Sequence, residues 1–259
     1  MELTYAGYLK LDRLLDLQEP KSDPEQHDEL LFIVIHQVYE LWFKQVLHEL
    51  DRINVQFSAD DLWGAVSTFK RVRMIFKTLV NQLDILETMT PLSFTAFRDR
   101  LERASGFQSS QFRELEFLLG YKRPAMLKYL DPGWHGYEGV VRRLEEPSVI
   151  HHFYGFLAGH GVEIPHELRA DPRQPSAPDE RVQRGLLELY RTRPDIAVLF
   201  ELMTDVDEGM QEWRYRHVKL AERTIGNKHG TGGSPGVEFL KRSLFHPIFP
   251  DLWAIRHMM

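Results

Sequence analysis

Cysteine is absent from the 259 residues. That excludes disulfides, cysteine nucleophiles, zinc–thiolate sites, iron–sulfur clusters and covalent haem attachment through CxxCH. Base is not in excess: 32 Lys and Arg stand against 38 Asp and Glu, a net charge of −6. Such a balance argues against a protein that grips phosphate backbones by bulk charge. Long apolar runs are missing as well. Near the front the longest is Leu30 to Ile35, far short of the ~20 residues that span a bilayer. The opening Met1-Glu2-Leu3-Thr4-Tyr5 carries an acid where a secretion signal needs a base, and no apolar stretch follows it. The expectation is a cytoplasmic protein with no membrane and no nucleic-acid partner.

What is present points to a core. Hydrophobic residues make up 43% of the chain, enough to exclude wholesale disorder. Twelve histidines mean that any metal site rests on imidazoles and carboxylates.

The periodicity is helical nearly throughout. From Asp28 to Ile53 apolar residues recur three and four apart, with no Gly or Pro between. Ala59 to Met89 reads the same way. Thr90-Pro91 supplies a cap and a first-turn proline for a helix from Leu92 to about Leu101. After Ala104-Ser105-Gly106 another helix is expected over Gln108 to Leu119. The middle is less regular, with a turn at Asp131-Pro132-Gly133 and a proline-rich loop between Pro165 and Pro178. Helical pattern resumes over Glu180–Tyr190 and from Pro194 to about Gly226. A glycine-rich piece, 226–236, precedes a last short helix, Val237 to Leu244. No convincing strand alternation occurs. The fold expected is an all-α bundle of about eight to ten helices in one domain, residues 1–259, with an irregular loop about 163–180.

Several motifs fail on their chemistry. Gly232-Gly233-Ser234-Pro235-Gly236 matches GxSxG, but a helix precedes it, and Pro235 has no N–H for an oxyanion hole. Ser67 and Lys70 fit SxxK midway along an amphipathic helix with no companion motif. Glu163 and His166 flank Pro165 in a loop, so a di-iron bundle is not supported. Vicinal His151 and His152 diverge on a helix and suit capping or surface roles better than metal binding.

Three residues stay open on pattern alone. His36 sits in the most apolar helix with Phe32 one turn before it, as a core histidine or as a polar handle in a pocket. Arg98 shares a face with Phe94 and Leu101, and either snorkels or forks toward a carboxylate. His217, within Trp213-Arg214-Tyr215-Arg216-His217, is a surface residue or a metal ligand.

Longer blocks carry a resemblance. The run Phe32-Ile33-Val34-Ile35-His36-Gln37-Val38-Tyr39-Glu40-Leu41-Trp42-Phe43-Lys44 closely resembles a hallmark helix of the tryptophan 2,3-dioxygenases. So do Phe97-Arg98 with Ser105-Gly106-Phe107-Gln108-Ser109, and Trp213 to His217 followed by Gly230-Thr231-Gly232-Gly233-Ser234. Leu3-Thr4-Tyr5 with Gly7-Tyr8-Leu9 matches as well. The blocks lie in the family's order and span nearly the whole chain.

This resemblance implies an all-helical homotetramer binding non-covalent haem b, with ferrous iron in the active form. Its substrates would be L-tryptophan and dioxygen, and its product N-formyl-L-kynurenine. His217 would be the proximal iron ligand, with Ser105 and Gly106 lining the haem pocket. His36 would be the catalytic distal residue near the indole N–H. Phe32, Ile33, Val34, Ile35, Phe94, Arg98, Leu101 and Thr231 would surround the substrate, Arg98 on its carboxylate and Thr231 on its ammonium. Tyr5 and Tyr8 would join them, Tyr5 from a neighbouring subunit. Phe94 stands where some relatives carry tyrosine, and Pro235 where serine is common. A related scaffold that acts on a substituted tryptophan, inserting one oxygen atom, and a non-catalytic haem sensor are the competing readings.

Overall fold

The computed structural model describes residues 2–226, 228–231 and 236–259. Among these it contains helices and turns but no strand. Three long helices make the centre: α3 (His27–Ser58), α4 (Leu62–Leu86) and α11 (Pro194–Ile225). Ahead of them lie two short ones, α1 (Tyr5–Leu9) and α2 (Leu11–Leu14). Between α4 and α11 come α5 (Pro91–Arg98), α6 (Ser110–Leu118), α7 (Tyr137–Glu145), α8 (Val149–Gly159), α9 (Glu167–Ala170) and α10 (Glu180–Thr192). The chain ends with α12 (Val237–Lys241) and α13 (Pro250–Ala254).

Spacing explains the centre. Ile35, Tyr39, Phe43, Val46, Leu50, Ile53 and Phe57 are buried at intervals of three and four along α3, one stripe of a 3.6-residue helix. Phe69, Val72, Phe76, Leu79, Leu83 and Leu86 do the same on α4. Each such side chain contributes about 1.5–3 kcal/mol through burial. Helix α4 packs along both α3 and α11, while α6 and α8 lie against α3. Helix α3 is long and apolar enough by composition to cross a membrane. Here its stripe serves the core instead.

Local signals set the ends. The Asp61 carboxylate accepts the Gly64 N–H at 2.9 Å, capping α4. The Thr90 hydroxyl accepts the Ser93 N–H, and Pro91 occupies the first turn of α5, where its missing N–H costs nothing. Phe94 and Phe97 anchor α5 to the core, and so aim Arg98.

Some boundaries differ from expectation. Helix α5 ends at Arg98 and passes into a 3-10 turn over Asp99–Leu101. The helix expected from Gln108 is a 3-10 turn, Gly106–Gln108, then α6 from Ser110. The Ser109 hydroxyl accepts the Phe112 N–H and starts the new helix. The irregular middle holds two real helices, α7 and α8, stabilised by burial of Val140, Leu144, Phe153, Phe156 and their neighbours. The proline-rich loop contains one helical turn, α9. The last expected helix stops at Lys241, ahead of Phe245 at φ +62°.

Two buried polar groups tie segments together. Asp207 on α11 is fully buried and accepts both the Phe249 N–H and the Trp253 indole N–H at 2.9 Å. The Lys122 ammonium donates to the carbonyls of Arg143, Leu144 and Glu146, closing the end of α7. His151 caps α8: its Nδ1 accepts from the Ser148 hydroxyl at 2.8 Å and the Ser148 N–H at 3.3 Å.

Candidate active site

Helices α3, α4, α5 and α11, with the segment around Ser105, enclose a cavity of about 290 Å³. Phe32, His36, Phe94, Arg98, His217 and Thr231 all border it. Leu101, Ser105 and Gly106 do so too. Residues nearly two hundred positions apart thus meet because three long helices cross.

His36 lies on the face of α3 that carries Phe32, its ring centroid 4.1 Å from the phenyl centroid. Its Nδ1 is 2.7 Å from the Phe32 carbonyl oxygen. A carbonyl only accepts, so Nδ1 carries the proton and Nε2 keeps its lone pair. Burial lowers the pKa of this imidazole, against the pull of the Phe32 carbonyl and Glu40. Burial thus favours the neutral ring, in which Nε2 is the one acceptor.

His217 points inward from α11, while its neighbour Arg216 turns outward to Asp84 at 2.6 Å and Glu87 at 3.2 Å. Burial, aided by the opposing His36, holds the His217 pKa down to about 4. A neutral imidazole with a free nitrogen lone pair is a ready metal donor. Among the described residues no group of three or more His, Asp or Glu could hold a metal ion. One imidazole at an enclosed apolar wall suits an iron whose other ligands come from a macrocycle.

Arg98 projects from the end of α5. Its Nη2 donates to the His229 carbonyl at 2.9 Å, and its buried Nε has no partner. The Thr231 hydroxyl donates to the Ala104 carbonyl. This part of the chain is framed by two glycines, Gly226 (φ 58°, ψ −133°) and Gly236 (φ 69°, ψ −139°). Side chains avoid that backbone region. At Gly236 a Cβ would also lie 2.6 Å from the Lys228 carbonyl oxygen. Asn227 and residues 232–235, including Ser234 and Pro235, lie outside the described residues.

Sequence reasoning missed a charged end of the cavity. Arg113, Arg123 and Arg214 gather around Glu116, all four bordering the same space. Arg113, Arg214 and Glu116 are buried, and each arginine Nε lacks a hydrogen-bond partner. Three guanidinium groups facing one carboxylate leave uncompensated positive charge, which is costly without an anion. Buried charge is what composition leads one least to expect. Trp213, one turn before His217, also borders the cavity and was not singled out.

Five expected substrate contacts do not border the cavity. Ile33 and Val34 face away from it, Val34 toward solvent, and Ile35 packs into the core. A helix turns about 100° per residue, so of residues 32–36 only Phe32 and His36 border the cavity. Tyr5 and Tyr8, on α1, are 76% and 70% exposed and touch no part of this chain's cavity.

The family model for tryptophan 2,3-dioxygenase matches residues 1–144 and 181–259. A protein of Herpetosiphon aurantiacus named tryptophan 2,3-dioxygenase is 53% identical over 255 residues, covering 98% of this chain and 97% of its own. One of the same name from Anaeromyxobacter sp. strain K is 52% identical over 254 residues, covering 98% and 95%. A third, from Serratia proteamaculans, is 40% identical over 258 residues, covering 98% and 92%.

Proposed function

The chain belongs to the tryptophan 2,3-dioxygenase family, and from that membership we propose that it inserts both atoms of dioxygen across the indole C2–C3 bond of L-tryptophan, giving N-formyl-L-kynurenine. The observation that carries the reading is one cavity faced by two neutral imidazoles, His36 and His217, with a guanidinium, Arg98, at its rim.

The residues present fit haem b. His217 would offer its imidazole to the iron. Apolar side chains from α3, α4 and α11 supply walls for a flat macrocycle. Arg113, Arg123 and Arg214 supply excess positive charge for its two carboxylates. When bound in the ferrous form, haem supplies the binding and activation of dioxygen.

The chain's own residues do the rest. Nε2 of His36 accepts the indole N–H and so fixes the edge of the ring. Phe32 packs against the indole face. Arg98 exchanges its bond to the His229 carbonyl for a charge-assisted bond to the substrate carboxylate, where its fork offers two donors. Thr231 receives the ammonium. Together these hold the amino acid in one pose and exclude water, which converts a bimolecular encounter into a positioned one. His36 acts by orientation and hydrogen bonding. Burial disfavours the charged imidazolium, which makes the ring a weak base toward the indole N–H.

The active form is a homotetramer in the cytoplasm. Helices α1 and α2 bury none of their residues. Leu3, Tyr5, Tyr8, Leu15 and Leu17 leave a large apolar surface open, as an arm that packs on a neighbouring subunit would. In that assembly Tyr5 reaches the neighbour's site.

The test is direct. Purified protein given haem and reduced should show a Soret band and convert L-tryptophan and oxygen to N-formyl-L-kynurenine, identified by mass with both oxygen atoms labelled. The His217→Ala protein should lose haem. A His217→Ala protein with full haem content and turnover would refute the assignment.

A further inference from the structure

We propose that Trp213 is a positioning residue that fixes the plane of the His217 imidazole by stacking. The proposal rests on the reading that His217 holds the haem iron. It goes beyond it by naming what holds His217.

Trp213 and His217 lie one turn apart on α11, with ring centroids 5.1 Å apart and planes only 8° from parallel. That is an offset stack, the arrangement aromatic rings prefer. The indole is itself clamped. Phe112 of α6 packs on it at 5.0 Å, and Phe43 and Tyr39 of α3 meet it edge-on at 6.1 Å. Tyr39 is fixed in turn, its hydroxyl donating to the Leu79 carbonyl of α4 at 2.6 Å. Four helices thus hold one indole, and the indole holds one imidazole.

The usual device is missing among the described residues. A metal-bound histidine almost always donates its second N–H to a carboxylate or carbonyl, which orients the ring and raises its basicity. Among the described residues the contact seen on the His217 ring is the Trp213 stack. Trp213 is the aromatic ring stacked on His217, and Phe112 and Phe43 back the indole. Stacking sets the ring's orientation without adding negative charge to the ligand. A less electron-rich ligand favours the ferrous iron that the reaction uses.

The test uses the full-length, haem-loaded protein with Trp213→Leu, Trp213→Phe and Tyr39→Phe, each checked for helicity by circular dichroism. Three quantities are read: the ferrous iron–histidine stretching band by resonance Raman, the reduction potential, and the rate of haem transfer to excess apomyoglobin. Trp213→Leu should shift and broaden the band, change the potential and speed haem loss by about tenfold, the upper range for an aromatic pair. Trp213→Phe, with a smaller stacking face, should fall between it and the parent. Tyr39→Phe should shift the band in the same direction by less. A folded Trp213→Leu protein with the parent's band and haem-loss rate overturns the proposal. If Trp213→Leu does not fold, an unchanged band in both other variants overturns it. His217→Ala is the control: an iron–histidine band that survives it means that His217 is not the ligand, a failure distinct from that of Trp213.

Discussion

Replacing Arg98 by leucine tests the proposed contact that selects an amino acid over a bare indole. The guanidinium sits at the end of α5 with Nη2 on the His229 carbonyl and a buried Nε without a partner. A bound carboxylate gains a fork of charge-assisted donors, each worth about 1.5–3 kcal/mol. One of those donors is already engaged by a neutral carbonyl, so the net gain is smaller than two full bonds, about 2–4 kcal/mol. The Arg98→Leu enzyme should therefore lose about 30- to 1000-fold in kcat/KM for L-tryptophan, mostly through KM. The assay is product formation by reduced, haem-loaded enzyme, run in parallel with tryptamine, which lacks the carboxylate. Parent and variant should turn tryptamine over with equal kcat/KM. If Arg98→Leu costs as much with tryptamine as with tryptophan, the guanidinium does not read the carboxylate and the argument fails.

Other outcomes follow from the same geometry. His36→Ala removes the Nε2 acceptor and should lower kcat/KM for L-tryptophan by about tenfold, and by much less for a 1-methyl analogue that has no indole N–H to donate. Asp207→Ala strips the Phe249 N–H and the Trp253 indole of their shared acceptor, and should cost about 2–4 kcal/mol in denaturant unfolding; a loss under 1 kcal/mol would show that water replaces it. His151 has its pKa pulled down to about 4 by burial, with Lys122 and His152 adding. The unfolded chain takes up a proton first as pH falls, so the cap's contribution is complete above about pH 6.5 and lost as pH falls toward 4. Full burial would make this about 3 kcal/mol, and partial exposure reduces it to about 1 kcal/mol. The fall in Tm between pH 7 and pH 5 should accordingly be smaller in His151→Ala than in the parent.

The long helices were legible because their apolar spacing runs unbroken. Nothing between Asp28 and Ile53 interrupts the stripe that α3 buries. Helices α7 and α8 were not, because Gly139 and Gly155 blur their pattern. The structure supplies a reason for the first: a Cβ at Gly139 would lie 2.7 Å from the Glu114 carboxylate on α6. His36, Arg98 and His217 each allowed two readings because a cavity is a property of crossings between distant helices, which no local window contains. The family resemblance named a run around His36, but a run is contiguous and a helical face is not. Ile33, Val34 and Ile35 entered the expected site for that reason. The Arg113–Glu116–Arg123–Arg214 cluster stayed hidden because charged residues spaced along helices read as solvent-facing until burial is seen.

The bond between Asp207 and the tail has a consequence for how the molecule is made. The helix that bears His217 emerges from synthesis before residues 249–253 exist. Until they arrive, a carboxylate about three turns from that imidazole keeps the Gln211 amide of its own helix but lacks the Phe249 and Trp253 donors. Helix α11 therefore has this carboxylate fully partnered only in chains extended past Trp253, and a product truncated before Phe249 leaves Asp207 short of two donors.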